Sequence, residues 1–158
     1  MIRPWMVIGG ITLLIALGAN LIRPKDVKWF RQLRRPSWLT FERLIPVIWT
    51  IVFIGGAWSA YIVWTNQTAV GNEPWGLMAF YIVLELVTVA YTPVMFWTRS
   101  LKVGTFIGGL GFVLAVILAI LVFPISPWAT VLLVPYLLWS PVGTYVTWRM
   151  RQINPGVT

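Results

Sequence analysis

Long uncharged apolar segments alternate along the chain with short charged or polar segments. The apolar runs are continuous, whereas the strands of a membrane barrel alternate polar and apolar positions. Most runs match the roughly 20 residues that a helix needs to cross a bilayer. The pattern therefore predicts transmembrane helices over residues 4–22, 44–64, 75–97, 103–122 and 128–148.

Polar residues and prolines separate these spans. Residues 65–73 have the composition of a polar turn. The uncharged run over residues 103–148 is about twice as long as one span, and we expect it to break at Phe123–Pro127, where two prolines and a serine end helices. The prediction is an all-α integral membrane bundle of five helices, forming one domain over residues 1–158. A cleaved signal peptide is the alternative for the first run, but a lone Arg3 and the lack of a clear small-residue cleavage site argue against it.

The distribution of charge predicts the orientation of the bundle. Only 10% of the residues are charged, compared with about 25% in soluble domains. All but one of the 12 basic residues fall on one side of the predicted bundle, in the first loop, the third loop and the C-terminal tail. The positive-inside rule places that side in the cytoplasm, the N-terminus outside and the C-terminus inside. This distribution explains the net charge of +8 without a nucleic-acid partner.

The residue types exclude several kinds of chemistry. The chain contains no cysteine and no histidine, so disulfides and thiolate or imidazole ligands are excluded. Its acidic residues are Asp26, Glu42, Glu73 and Glu85, from which no catalytic triad or metal cluster can be assembled. We therefore predict no conventional enzyme, no catalytic residue in the usual sense, no metal site and no required cofactor.

Three of the eleven tryptophans lie inside spans, where an indole N–H needs a partner or a polar cavity. The others fit an aromatic belt at the membrane interfaces or lie in the first loop. The three are Trp49, Trp58 and Trp139. Trp49 and Trp139 differ in depth by only about 6 Å, so both could line one pocket that opens toward the basic loop. Simple packing between helices or against lipid remains the alternative.

The first loop, which covers residues 23–43 between the first two predicted spans and is also called the basic loop here, mixes aromatic and cationic residues. Its segment Lys28–Trp38 could rest on anionic headgroups. It could also cover a cavity, with Arg34 and Arg35 pairing with ligand carboxylates and the aromatic side chains stacking on a planar ring. The pattern leaves both interpretations open.

Glu85 lies inside the third predicted span. A charged side chain at mid-bilayer costs at least about 2.5 kcal/mol, so such a residue is a candidate for function. The alternative is a protonated or paired residue that faces the bundle.

Three parts of the chain, namely the first loop, the second span and the fifth span, resemble the TspO (translocator protein, tryptophan-rich sensory protein) family. Residues 29–38, WFRQLRRPSW, resemble the family's pattern of an aromatic pair, a leucine, a basic residue and Pro-Ser-Trp. The second span continues the resemblance with VIWTIVF over residues 47–53, and the fifth with PYLLWS over residues 135–140 and GTY over residues 143–145. These matches cover about a third of the chain.

This resemblance implies a five-helix bundle with a ligand cavity facing the first loop. Family members bind protoporphyrin IX and haem, and many form homodimers. Trp49 and Trp139 match the cavity tryptophans linked to porphyrin chemistry, including proposed light-dependent breakdown. The remaining ligand-binding positions implied by the resemblance or suggested by the loop are Trp29, Phe30, Arg34, Arg35, Trp38, Phe53, Thr88, Tyr91 and Gly143, and Glu85 is added because it is a carboxylate inside a span.

Some positions depart from the family pattern. Leu39-Thr40-Phe41 replaces the usual Pro-Pro, Phe30 replaces a common tyrosine, and Thr88-Val89 replaces a more polar pair. Fewer donors remain for ligand carboxylates and amides, which argues against binding of the usual drug-like ligands.

The leading functional hypothesis is a membrane porphyrin-binding sensor, carrier or regulator, in a bacterial inner membrane or an organelle membrane. One alternative is a scaffold or assembly factor with a filled core. A lipid or sterol binder is the other, with a cholesterol-type contact pattern at Val142, Tyr145 and Arg149.

Overall fold

The computed structural model describes residues 3–157 and contains no strand in this range. Prolines begin several helices, at positions where the missing N–H has no helical partner. The helices are α1 (Pro4–Leu17), α2 (Pro24–Gln32), α3 (Ile45–Ala69), α4 (Trp75–Thr98), α5 (Leu101–Val122), α6 (Pro127–Val131) and α7 (Val134–Ile153). Short 3-10 turns, Gly18–Asn20 and Glu42–Leu44, follow α1 and precede α3.

Four helical segments are long and apolar enough to cross a membrane. They are Glu42–Ala69, Trp75–Thr98, Leu101–Val122 and Pro127–Ile153. A fifth crossing is counted if Pro4–Asn20 and Pro24–Gln32, which bend by 70° at the break between them, form one span. Helix α2 carries four charged residues within Pro24–Gln32, so we place it outside the membrane and assign the crossing to α1 and its 3-10 extension. The predicted all-helical membrane architecture is confirmed.

The second span is longer than the sequence pattern indicated. Helix α3 continues to Ala69, so the first part of the predicted turn over residues 65–73 is helical. The hydroxyls of Thr65 and Thr68 donate to carbonyls one turn back, at 3.0 Å to Tyr61 and 2.8 Å to Trp64. These bonds satisfy the polar side chains within the helix. The turn occupies the next few residues instead and uses the left-handed backbone of Gly71 (φ 82°).

The last span is two helices rather than the single one predicted over residues 128–148. Helix α6 ends at Val131 and α7 begins at Val134. Pro135 lacks the N–H that would donate to the carbonyl of Val131, so the helical ladder is interrupted there. The predicted break between α5 and α6 is present, with the Ser126 hydroxyl capping α6 by accepting from the Ala129 N–H at 3.2 Å.

The first loop, the α4–α5 turn and the end of α7 meet on one side of the bundle, here called the basic side. The Arg99 guanidinium bonds to the Asp26 carboxylate at 3.3 Å. The Arg34 backbone N–H donates to the Asn154 side chain at 2.8 Å, and Asn154 donates back to the Arg34 carbonyl at 2.9 Å. The basic segments therefore share one side, as the charge pattern predicted. Its assignment to the cytoplasm stays a prediction.

Small residues bring the helices close together. A side chain at Gly55 would lie 2.5 Å from the carbonyl oxygen of Leu132, so α3 touches the backbone at the α6–α7 break. Gly104 and Gly108 of α5 face Thr147 and Thr144 of α7. Their Gly-x-x-x-Gly spacing thus serves close packing within the chain.

A buried hydroxyl joins three helices in the half of the bundle away from the basic side, here called the opposite half. Ser59 on α3 is fully buried. Its hydroxyl donates to the Ala129 carbonyl of α6 at 2.7 Å and shares a hydrogen bond with the Tyr81 hydroxyl of α4 at 2.6 Å. All the polar groups in this cluster are satisfied without water.

Candidate functional site: a cavity facing the basic loop

A cavity of about 300 Å³ lies in the basic half of the bundle. Helices α3, α4, α5 and α7 form its wall, and the first loop covers it. Aromatic and aliphatic side chains dominate the wall, with hydroxyls distributed among them. The lining includes Phe30, Leu39, Glu42, Trp49, Thr88, Tyr91, Phe96, Gly108, Tyr136, Trp139, Ser140, Gly143, Thr144 and Thr147.

Trp49 and Trp139 both line this cavity, from α3 and α7. The ring of Trp49 packs edge-on against Tyr136, with centroids 6.3 Å apart. The third tryptophan inside a span, Trp58, lies on the same helix as Trp49 but is 54% exposed on the outer surface of the bundle. Trp49 and Trp139, which lie at similar depth, therefore share the cavity, and Trp58 does not.

Two buried polar atoms in the cavity wall have no hydrogen-bond partner among the described residues. They are the indole Nε1 of Trp139 and the hydroxyl of Thr144. Other wall hydroxyls are satisfied within the protein: Thr88 bonds to Tyr136 at 2.8 Å, and Tyr91 bonds to Thr147. A buried unpaired donor costs about 1–3 kcal/mol. The wall thus holds a donor and a hydroxyl that a ligand could satisfy.

The first loop contacts the cavity through Phe30, whose ring stacks on Phe96 of α4 with centroids 4.7 Å apart. The Arg35 guanidinium lies 5.2 Å from the centre of the Phe30 ring and donates to the Glu42 carboxylate at 2.9 Å. The stacking on Phe96 attaches the loop to α4, while a cation–π contact and an ion pair join parts of the loop to one another above the cavity. Arg35 is beside the cavity but does not line it.

Six of the predicted ligand-binding residues line the cavity: Phe30, Trp49, Thr88, Tyr91, Trp139 and Gly143. The others do not. Trp29 packs behind Phe96 with centroids 6.1 Å apart, and the Arg34 side chain is exposed while its backbone bonds to Asn154.

Trp38 lies outside the cavity because it turns toward the surface of α7. It is 40% exposed and stacks on Tyr145, with centroids 5.8 Å apart. Phe41, one of the departures from the family pattern, packs edge-on against Trp139 at 6.2 Å. The residues of the sterol-type pattern, Val142, Tyr145 and Arg149, share this exposed surface. A sterol partner stays a prediction.

Phe53 and Glu85 lie farther from the basic side. Phe53 borders a void of about 30 Å³, together with Glu85, Thr88 and Tyr136. The Glu85 carboxylate accepts a hydrogen bond from the Thr12 hydroxyl of α1 at 2.6 Å. Glu85 is thus hydrogen-bonded to α1 within the bundle and is not part of the cavity beneath the loop.

Several wall residues that share one face of α7 were not predicted from the sequence. Tyr136, Ser140, Thr144 and Thr147 all line the cavity beside Trp139 and Gly143. Their positions follow the three- and four-residue spacing of one helix face. Extending this spacing from Trp139 would have found them.

Asp26 is a buried anchor for the loop. Its side chain is fully buried, and its carboxylate accepts from Arg23 at 2.5 Å and from Arg99 at 3.3 Å. Burial alone raises the pKa of Asp26, but the two guanidinium groups outweigh it and hold the pKa below its ordinary value of 3.8.

We expect the interaction of Asp26 with these two guanidinium groups to make the thermal stability of the protein depend on pH in the acid range. Because the folded-state pKa is lowered, the stabilisation is present above about pH 4 and is lost as the pH falls through the folded-state pKa. Thermal midpoints measured from pH 3 to pH 7 in detergent should fall at the acid end for the wild type. Asp26→Asn should have a lower midpoint at pH 7 and a flatter profile. Identical profiles for the two proteins would show that Asp26 does not anchor the loop.

Together, the bundle and its cavity define an integral multi-pass membrane protein with a ligand-sized internal site. The sequence model of the TspO/MBR family matches residues 7–153. The chain belongs to this family, as its motifs indicated.

Named relatives cover most of the chain. The translocator protein of Ovis aries is 28% identical over 99% of this chain and 95% of its own length. The tryptophan-rich protein TspO of Bacillus cereus is 26% identical over 86% of this chain and 87% of its own. The protein CrtK of Rhodobacter capsulatus is 28% identical over 81% and 79%. The similarity therefore extends over the whole bundle.

Proposed function

We propose that this protein binds a tetrapyrrole, of the protoporphyrin IX or haem type, in the cavity beneath the basic loop. Binding there would let it act as a membrane sensor, carrier or regulator of porphyrin. The observation that carries the proposal is the placement of Trp49 and Trp139 on the wall of one cavity, with the Trp139 Nε1 unpaired among the described residues.

The chemistry of the cavity suits a flat, mostly apolar ligand with acidic substituents. Trp49, Phe30 and Phe96 offer aromatic faces and edges at the wall and beneath the loop. The Trp139 N–H and the Thr144 hydroxyl can bond to ligand acceptors, and Arg35 lies beside the cavity for a carboxylate. Because Arg35 already pairs with Glu42, a ligand carboxylate would compete with that residue.

The size of the cavity bears on how a macrocycle is held. About 300 Å³ is at the lower end of ligand sites, which span roughly 300–1,000 Å³. A tetrapyrrole would therefore contact both the wall and the loop, and the loop would have to move outward to admit it. Haem would bind without histidine or cysteine ligation, because the chain has neither residue.

Titration with protoporphyrin IX tests the proposal. In detergent-purified protein, we expect saturable quenching of tryptophan fluorescence together with a shift of the porphyrin absorption band. Trp49→Phe and Trp139→Phe should each weaken the affinity about tenfold, since aromatic stacking and a buried hydrogen bond each contribute about 1 kcal/mol or more. The absorption band is the decisive readout, since each substitution also removes a fluorophore.

Trp58→Phe is the matched control, since Trp58 is on α3 with Trp49 but faces outward. It should leave the affinity unchanged. The porphyrin proposal would be overturned if the wild type showed no saturable binding, or if all three variants bound protoporphyrin IX with the affinity of the wild type. Illumination of a saturated complex would then show whether the bound ligand is degraded.

The cavity also bears on the scaffold alternative, which predicts a filled core. A cavity with unpaired polar atoms reduces stability, so its presence is easier to explain for a binding protein than for a purely structural one. It supports ligand binding over the scaffold hypothesis.

A further inference from the structure

A second cavity, of about 390 Å³, lies in the opposite half of the bundle between α1, α3 and α4. Pro4 and Trp75, at the starts of α1 and α4, border its mouth. Thr12 and Glu85 line its deep end, since Glu85 is ten residues into α4, or about 15 Å along its axis. The cavity thus reaches from one membrane interface to about the middle of the bundle.

Apolar side chains form most of the wall of this cavity. Val7, Ile8 and Ile11 line it from α1, and Met78 and Ile82 line it from α4. Near the mouth, the rings of Trp64 and Trp75 pack edge-on with centroids 4.8 Å apart. An occupant would therefore have an apolar body, for which the aromatic mouth is suited.

Glu85 supplies the one carboxylate in the described wall of this cavity. It accepts from the Thr12 hydroxyl at 2.6 Å, and no lysine or arginine among residues 3–157 forms an ion pair with it. The other hydroxyl in the wall, on Tyr81, is bonded to Ser59. A carboxylate held within a span without a cation is costly, and a positively charged ligand group would offset that cost.

The two cavities are distinct. Between them lies the small void bordered by Glu85, Thr88 and Tyr136, whose volume of about 30 Å³ has room for about one water molecule. The Thr88–Tyr136 hydrogen bond, at 2.8 Å, forms part of this partition. A ligand in the second cavity therefore need not compete with one beneath the basic loop.

We propose that this second cavity binds a hydrophobic amine, with its ammonium group on the Glu85 carboxylate and its apolar body along α1 and α4 toward Trp64 and Trp75. An ammonium donates up to three hydrogen bonds, so it can pair with Glu85 and leave the Thr12 bond intact. A metal ion fits less well, because one carboxylate and one hydroxyl are too few oxygen ligands. An uncharged lipid chain would fill the apolar part but leave Glu85 without a cation.

Two probes of the same shape test the proposal, 4-phenylbutylamine and the uncharged 4-phenylbutan-1-ol. Binding to the protein in lipid nanodiscs is measured by calorimetry, with protein-free nanodiscs subtracted to correct for partitioning into lipid. We expect the amine to bind at least about tenfold more tightly than the alcohol, because a charge-assisted bond in a poorly hydrated site is strong.

Glu85→Gln should abolish this preference for the amine, and Glu85→Asp should retain most of it. Glu42→Gln removes a carboxylate from the first cavity and should leave the preference unchanged. Ala79→Leu, which adds bulk in the wall of the second cavity, should weaken both probes. It also provides a test that does not depend on the folding of the Glu85 variants.

Equal affinity of the wild type for amine and alcohol would show that the cavity is merely an apolar or lipid-filled groove and would overturn the proposal. A preference for the amine that persists in Glu85→Gln would overturn it as well. Protoporphyrin IX titration of Glu85→Gln should match that of the wild type, since Glu85 does not line the first cavity. The porphyrin proposal and the amine proposal can therefore fail independently, and the two titrations show which of them has failed.

Discussion

Replacing Gly55 with alanine is expected to lower the free energy of unfolding by about 2 kcal/mol or more, which is typical of overpacking. The new Cβ would lie 2.5 Å from the carbonyl oxygen of Leu132. That oxygen belongs to the backbone at the α6–α7 break and cannot rotate away. Shifting α6 instead would strain the bond from Ser59 to the Ala129 carbonyl. The measurement is reversible unfolding in mixed micelles, monitored by tryptophan fluorescence.

Gly56→Ala is a control at the neighbouring position. A side chain there would meet nothing within 4 Å, and alanine favours a helix over glycine by about 1 kcal/mol. This variant should therefore be as stable as the wild type or slightly more so. If Gly55→Ala proved as stable as Gly56→Ala, α3 would not approach the α6–α7 break as closely as described.

Gly108→Leu is expected to have the second large effect, both on stability and on ligand binding. A side chain at Gly108 would overlap Thr144 of α7 and would lie 3.4 Å from the ring of Tyr91 on α4. Helices α5 and α7 would have to separate, which costs about 1–3 kcal/mol or more. We expect the variant to have a lower thermal midpoint. Since Gly108 and Thr144 both line the first cavity, it should also lose most of its porphyrin affinity.

Gly109→Leu provides the comparison for this second variant. Gly109 has nothing within 4 Å of a built Cβ, so a leucine there points away from neighbouring helices. Its thermal midpoint and porphyrin affinity should match those of the wild type. If Gly108→Leu altered only the oligomeric state, measured by light scattering, the glycine pair would serve contact between copies rather than packing within the chain.

Hydrophobic length and charge were enough to predict the helical membrane bundle, because lipid restricts the backbone to few solutions. The end of α3 was misplaced because Thr65 and Thr68 satisfy their hydroxyls within the helix, which composition cannot show. The break before α7 was not predicted, because a proline such as Pro135 inside an apolar run can either bend a helix or end it. Its effect depends on packing against α3 at Gly55.

The site was predictable where depth along a helix was decisive. Trp49 and Trp139 share a cavity because they lie at similar depths, measured along their helices from the basic side. The directions of Trp38 and Arg34 were not predictable, because an irregular loop has no fixed periodicity. Its position depends on distant partners, namely Tyr145 for Trp38 and Asn154 for Arg34.

The buried hydroxyl of Ser59 has a consequence for how a ligand would enter and leave. By bonding to both α4 and α6, it holds α3, α4 and α6 together in the opposite half of the bundle. In the basic half, α2 is anchored by the buried Asp26, but the part of the loop that follows α2 is held to the end of α7 by the exposed Arg34–Asn154 bonds, which open far more easily than buried ones. The residence time of a ligand in the first cavity should therefore be set by the opening frequency of the loop, and not by separation of the helices.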